Sequence, residues 1–227
     1  PEENGAGMTS FCGIFKGDDD ILYLVYESST DKIAGRVGLS VSFDDGETWV
    51  HQPPILTKDQ FPAWCNANIG TPDIYKKDGV WYVTFHGWGN GAGNGGCQIG
   101  VAYGGNLRNL ETLVQDPVIP TEKDTPWSGT TGERDIFYCD GYYYMVHEIS
   151  TEDLPPDGYG GANWTHMFAR SRDMVNWEIT EGPQLVQSRN GFGYDGTNWC
   201  VVDGELYVFM RDGGNSTTAV KLVPKAQ

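Results

Sequence analysis

The sequence predicts an all-β fold and, within that class, a β-propeller. Three observations predict it. A hairpin pattern returns about every sixty residues, its turn is Asp-Gly in three of four copies, and the strand after each turn is dense in aromatic and β-branched residues. A period of that size marks one supersecondary unit repeated side by side. Asp-Gly suits a two-residue hairpin because both central positions take positive φ.

The clearest copies are Thr71-Pro-Asp-Ile-Tyr-Lys-Lys-Asp-Gly-Val-Trp-Tyr-Val, Glu133-Arg-Asp-Ile-Phe-Tyr-Cys-Asp-Gly-Tyr-Tyr-Tyr-Met-Val and Thr197-Asn-Trp-Cys-Val-Val-Asp-Gly-Glu-Leu-Tyr-Val-Phe. Their anchors Asp78, Asp140 and Asp203 lie 62 and 63 residues apart. A looser copy, Gly13-Ile-Phe-Lys-Gly-Asp-Asp-Asp-Ile-Leu-Tyr-Leu-Val-Tyr, precedes them, with Asp20 58 residues before Asp78. A second strand pair should follow each hairpin: Val37–Val41 with Ser42-Phe-Asp-Asp-Gly-Glu-Thr-Trp49, Gln98–Tyr103 with a degenerate turn through Gly104, Gly105 and Asn106, and His166–Arg170 with Ser171-Arg-Asp-Met-Val-Asn-Trp177. Four strands per repeat is the pattern of propeller blades, expected over approximately 8–56, 70–120, 131–187 and 193–227 of one domain spanning 1–227. No segment carries a sustained helical period. The stretch from Ser42 to Trp49 fits S-x-D-x-G-x-T-W, the Asp-box, in which Ser and Asp side chains tie the turn's own backbone.

Composition narrows the partners. The chain has 31 Gly, 8 Trp and 12 Tyr among 227 residues, a mix that suits short strands and tight turns. The net charge of −16 argues against nucleic acid or an anionic membrane, which need basic surface. No stretch reaches the roughly 18 apolar residues of a spanning helix. Five cysteines show no C-x-x-C spacing. The sequons at Asn163 and Asn215 point to a secreted or periplasmic setting. A chain that begins at Pro1 rather than Met is expected to have been processed, trimmed or cut.

The geometry of a blade places the chemistry. The start of its first strand and the end of its second share one rim, so first-strand starts from several blades converge on one channel mouth. They carry Asp73, then Glu133, Arg134 and Asp135, then Asp195 and Asn198; the second strands end near Glu27, His86, His147 with Glu148, and Arg211 with Asp212. Like charges around one axis raise each other's pKa. Two carboxylates converging on a pocket are the equipment for glycoside hydrolysis. Trp64, Trp88, Trp127, Tyr194 and Trp199 are expected toward the same rim, where aromatic faces stack on sugars.

These segments resemble the five-bladed β-propeller glycoside hydrolases, the superfamily that includes families 43 and 32. Thr71-Pro-Asp73-Ile-Tyr, with Gly-Val-Trp-Tyr-Val after it, resembles the family 43 segment whose Asp tunes the acid's pKa. Glu133-Arg-Asp-Ile-Phe resembles the segment that supplies the general acid. Ala169-Arg-Ser-Arg-Asp-Met-Val-Asn-Trp177 resembles the S-x-D-L-x-x-W hairpin of these enzymes, and the Asp-box followed by Pro53-Pro-Ile-Leu resembles the end of the second blade in family 32. The resemblance implies a glycosidase acting on arabinoside, xyloside or fructoside linkages. It implies Glu133 as acid, Asp73 as its tuner, and His86, Trp88, Arg134, His147, Asp195, Trp199 and Arg211 around the substrate. Arg134-Asp135 also resembles the R-D-P of family 32, which would make Asp135 the transition-state stabiliser. No cofactor is required and no metal-ligating residue is assigned; the resemblance allows a structural Ca²⁺ ion in the central channel, contacted indirectly by His86 or His147.

The first copy departs from the pattern. It opens Thr9-Ser-Phe-Cys-Gly-Ile-Phe, without the carboxylate that these families use as base or nucleophile. Taking this copy as blade two places the first blade, with its Asp, before Pro1. The expectation is thus a five-bladed propeller whose first blade is incomplete or absent here. Two other readings stay open: a non-catalytic carbohydrate-binding propeller, and a sialidase-like protein, which the scarcity of arginines disfavours.

Overall fold

The computed structural model describes residues 8–30, 33–61, 64–89, 97–120, 130–150, 164–181, 194–212 and 217–223. They form two compact units, Pro1–Pro120 and Thr121–Gln227.

The first unit holds two antiparallel sheets, each meandering in chain order. One contains β1 (Met8–Lys16), β2 (Leu22–Thr30), β3 (Ile33–Ser42) and β4 (Val50–Thr57); the other contains β5 (Asn68–Lys77), β6 (Val80–Trp88), β7 (Gln98–Gly104) and β8 (Thr112–Leu113). A single 3-10 turn at Lys58–Gln60 follows β4. The second unit holds β9 (Thr130–Cys139), β10 (Tyr142–Ser150), β11 (Trp164–Ser171) and β12 (Trp177–Ile179) in one sheet. Its other sheet contains β13 (Tyr194–Val202), β14 (Glu205–Asp212) and β15 (Thr217–Lys221).

The three Asp-Gly turns have the geometry that their sequence demands. Asp78, Asp140 and Asp203 have φ of 50°, 50° and 52°, and Gly79, Gly141 and Gly204 have 80°, 81° and 79°. Each pair joins strands directly, as the register Lys77↔Val80, Cys139↔Tyr142 and Val202↔Glu205 requires. The looser first copy has no Asp-Gly pair and needs a longer loop between Lys16 and Leu22. Asp19 organises that loop: Ile21 N–H donates to its Oδ1 at 3.2 Å and Tyr23 O–H to its Oδ2 at 2.8 Å.

The outer hairpins are tied by their own polar side chains. In the Ser42–Trp49 turn, Gly46 N–H donates to Ser42 Oγ at 2.8 Å, and Thr48 donates to Asp44 from both backbone and hydroxyl at 2.8 and 2.6 Å. The Ser171–Trp177 turn repeats the scheme. Met174 N–H donates to Ser171 Oγ at 3.0 Å, Asn176 N–H to Asp173 at 2.8 Å, and the Trp177 indole N–H to Met174 O at 3.0 Å. Burial works against the Asp173 charge, yet hydrogen bonds from Asn176, Val175 and Ser171 outweigh it and bring its pKa down to about 2.

Cores form where sheets stack within each unit. In the first, Val25, Leu39, Ile69, Ile74, Val83 and Phe85 are buried, and Trp81 sits edge-on to Phe15 and Tyr23 with centroids 5.8 and 4.6 Å apart. In the second, Val146, Val208 and Met210 are buried, with Phe168 and Trp199 packed against them.

Candidate functional site

Every first strand is interrupted near its start. The pairing register shifts between Ser10 and Cys12, between Gly70 and Asp73, opposite His147–Ile149 and between Asp195 and Asn198. Such a bulge re-aims the side chains that follow it. Counting back from the Asp-Gly turns, Thr71, Glu133 and Gly196 are equivalent, and so are Asp73, Asp135 and Asn198. Thr71 and Gly196 share a positive φ, 35° and 68°.

In the second unit the bulges gather Glu133, Arg134, His147, Glu148, His166 and Arg211. Glu148 is 3% exposed. Its Oε2 accepts the Glu133 N–H at 2.7 Å, and its Oε1 accepts the Gly196 N–H. The carboxyl thus ties β9 to β13. Gly132 makes room for it, since a Cβ there would overlap the Glu148 carboxylate. Burial, reinforced by the nearby Glu133 charge, pushes Glu148 up to about 8. Glu133 is less enclosed. Burial raises its pKa as well, against the pull of Arg134, the Thr197 N–H and Arg211. Arg134 is buried and donates from Nη2 to Gly132 O at 2.9 Å.

Two histidines complete the cluster. Burial brings His147 down to about 4 and His166 to about 3, so both are neutral at pH 7. His147 Nδ1 lies 3.2 Å from the Glu148 carbonyl, which accepts, so the proton is on Nδ1. Nε2 then has a free lone pair and no hydrogen-bond partner among the described residues.

Asp135 is committed to the scaffold. Its Oδ1 accepts the Ile136 N–H at 2.8 Å and its Oδ2 the Trp199 N–H at 2.6 Å. Burial nevertheless raises it to about 6. Trp199 returns an indole N–H to Asp135 O at 2.8 Å, and its ring packs on Phe137 and Phe168 at 4.8 and 5.7 Å. The aromatic face expected for a sugar is therefore engaged in packing between β9–β12 and β13–β15.

In the first unit, Asp73 has the position and the bond of Asp135: its Oδ1 accepts the Ile74 N–H at 2.8 Å. It also lies against the backbone of β1, where a Cβ on Gly13 would stand 2.6 Å from Oδ1. His86 belongs to a buried polar set. Thr71 Oγ1 is 2.7 Å from its Nδ1, Asn68 Nδ2 is 3.5 Å from its Nε2, and Glu27 Oε2 is 4.0 Å from Nε2. Glu27 also accepts the Thr71 N–H at 2.8 Å.

Trp127 and the sequon asparagines Asn163 and Asn215 lie outside the described residues, as do the side chains of Trp88, Tyr194 and Asp195. The Asp195 backbone pairs with Arg211. Glu148, Glu27 and His166 were not among the residues expected to act. Glu148 and Glu27 carry one legible signal, an acidic residue directly after an apolar run within the second strand. Among the described residues no three His, Cys, Asp or Glu side chains cluster as a metal cage.

No protein-family model and no curated sequence matches the chain. Solved structures do. A family 117 glycoside hydrolase from the marine bacterium Zobellia galactanivorans superposes with a TM-score of 0.74 at 16% identity, over 96% of this chain and 68% of that one. The Bombyx mori family 32 β-fructofuranosidase gives 0.67 at 15% identity, over 90% of this chain and 41% of that one. A GH43_1 enzyme from Xanthomonas citri in complex with xylotriose gives 0.64 at 15% identity, over 88% and 65%. The chain spans about two-fifths of the fructofuranosidase and about two-thirds of the other two. Its fold is the β-propeller of these glycoside hydrolases, as the hairpin repeat predicts.

Proposed function

We propose that the chain acts as a glycoside hydrolase on poly- or oligosaccharides, with Glu133 as the general acid. One observation carries the assignment: at a first-strand start, a half-buried carboxyl is kept protonated into a higher pH range by burial and stands beside a second, fully buried carboxyl. A general acid needs that raised pKa to hold its proton until the leaving oxygen departs. Arg134 and Arg211 act on the Glu133 charge and limit how far it rises. The fructofuranosidase and the xylotriose complex among the structural neighbours set the first substrates to try. Asp73 and Asp135 enter this reading as supports of the strands beside the site.

The test is reducing-sugar release from arabinan, xylan and fructan panels by the wild-type chain and by Glu133→Gln. Loss of about 10²–10⁴-fold in the variant is expected. Undiminished hydrolysis by the variant would remove Glu133 from the role.

A second reading, glycan binding without turnover, is favoured by the bonding of both Asp135 oxygens, and of Asp73 Oδ1, to backbone N–H groups. Retention on immobilised xylan or fructan with no product from any panel member would establish it.

A further inference from the structure

Glu148 is the least explained group in the molecule. It is a buried carboxyl in an antiparallel strand, and no strand needs one. Its two oxygens serve two different strands, β9 through the Glu133 N–H and β13 through the Gly196 N–H. Gly132 exists as a glycine where a side chain would strike this carboxyl. Gly196, with φ of 68°, carries the backbone turn that presents its N–H. The Glu133 carboxyl lies over the same residue: its Oε2 is 3.3 Å from where a Gly196 Cβ would stand. Both acids therefore lie against Gly196, Glu148 through its N–H and Glu133 beside its Cα.

We propose that Glu148 is the positioning residue of Glu133: its carboxyl fixes the backbone on which Glu133 and Gly196 stand, and the two carboxyls hold one charge between them. The proposal rests on the reading of Glu133 as the general acid. The charges facing the pair come from every strand around it. β9 supplies Arg134 and Asp135, β10 the neutral His147, β11 the neutral His166 opposite Glu148, and β14 Arg211. On β13, the stretch from Gly196 to Trp199 supplies backbone N–H donors and no charge. Arg134 and Arg211 favour one negative charge; a second, beside the first and out of water, is opposed by repulsion and burial.

A neighbour that can ionise can only raise the pKa of Glu133 relative to one that cannot. Glu148→Gln should therefore move the alkaline limb of the pH–rate profile to lower pH. It should also lower kcat by about tenfold, with KM within about threefold, because one of the two N–H bonds loses its acceptor. A purely structural role would alter stability and leave the limb in place.

The decisive experiment needs no substrate. Glutamate side chains labelled with carbon-13 at Cδ are titrated by NMR in the full chain, wild type, Glu133→Gln and Glu148→Gln. In the wild type one resonance should titrate well above the ordinary carboxylate range. Glu148→Gln should remove it and shift a second resonance to lower pH. Glu133→Gln should shift the high resonance down. A Glu148 signal that titrates in the ordinary range, or is unmoved by Glu133→Gln, overturns the proposal. If Glu148→Gln does not fold, the Glu133→Gln arm alone decides. If Glu133→Gln leaves hydrolysis intact while the two titrations remain linked, the general-acid reading fails and the coupling of the carboxyls stands.

Discussion

Glu27 and Glu148 occupy matching places in the two units and behave differently. Each is buried after an apolar second strand, and each accepts an N–H from the equivalent residue of the next first strand, Thr71 or Gly196. Gly70, on the first strand of the next sheet, leaves space for Glu27, and Gly132, on the strand paired with β10, leaves space for Glu148. The neighbours differ. Glu27 has Thr71 and His86, a hydroxyl and an imidazole joined by one hydrogen bond. Glu148 has Glu133, a second acid. The tie from a second strand to the next first strand is thus a scaffold device found in both units; Glu148 differs in also accepting an N–H within its own sheet, from Glu133.

The largest expected effect separates the two regions by activity. Glu133→Gln should lower kcat/KM by about 10²–10⁴-fold on any hydrolysed glycoside. Its thermal midpoint should stay equal or rise, because a carboxyl whose ionisation burial opposes is replaced by a neutral amide. A fall in midpoint would mean that Glu133 holds the fold rather than the substrate.

Next come the glycines. Gly70→Ala and Gly132→Ala should each cost about 1–3 kcal/mol in urea unfolding, since the added methyl meets a buried carboxylate that is bonded in place. Gly79 has open space around it and should be strained only by its φ of 80°, at about 1–2 kcal/mol. Equal costs at all three would remove the carboxylate clash as the cause. Glu27→Ala falls in a similar range, about 1–3 kcal/mol, because it leaves the buried Thr71 N–H without this acceptor.

A smaller effect, a few degrees of thermal midpoint, is expected from pH. Glu148 ionises near 8 instead of 4.5, so the unfolded chain loses its proton first. The stability this group contributes is complete below about 4.5 and is lost as pH rises to about 8. The depressed histidines act in the opposite sense. His147 and His166 contribute stability above 6.5 that is lost as pH falls toward about 4 and 3. Glu148→Gln should flatten the alkaline side of the midpoint curve and leave the acid side unchanged. Smallest of all, Asp173→Ala should lower the midpoint by roughly 2–4 °C, since it opens one exposed hairpin without touching either carboxylate tie.

The hairpins and the repeat were legible because their causes are local. Asp-Gly at 78, 140 and 203 and the Ser-x-Asp turns at 42 and 171 bond within a few residues of themselves, so each can be read from a short window of sequence. The hairpin repeat, read with the aromatic strands, sufficed for the fold class. The placing of Glu133 at a first-strand start followed from the same period.

What the tertiary structure alone decided spans much longer distances. Glu148 meets Gly196 across 48 residues, and Asp135 meets Trp199 across 64. A carboxylate pattern in the sequence does not say that Asp135 accepts an N–H from Trp199 on another strand. Nor does it say that an acid at the end of an apolar strand is buried. The recurring hairpin, then, determined by itself where carboxyls could gather. Burial and non-local hydrogen bonds determined which of them hold the scaffold and which keep a proton.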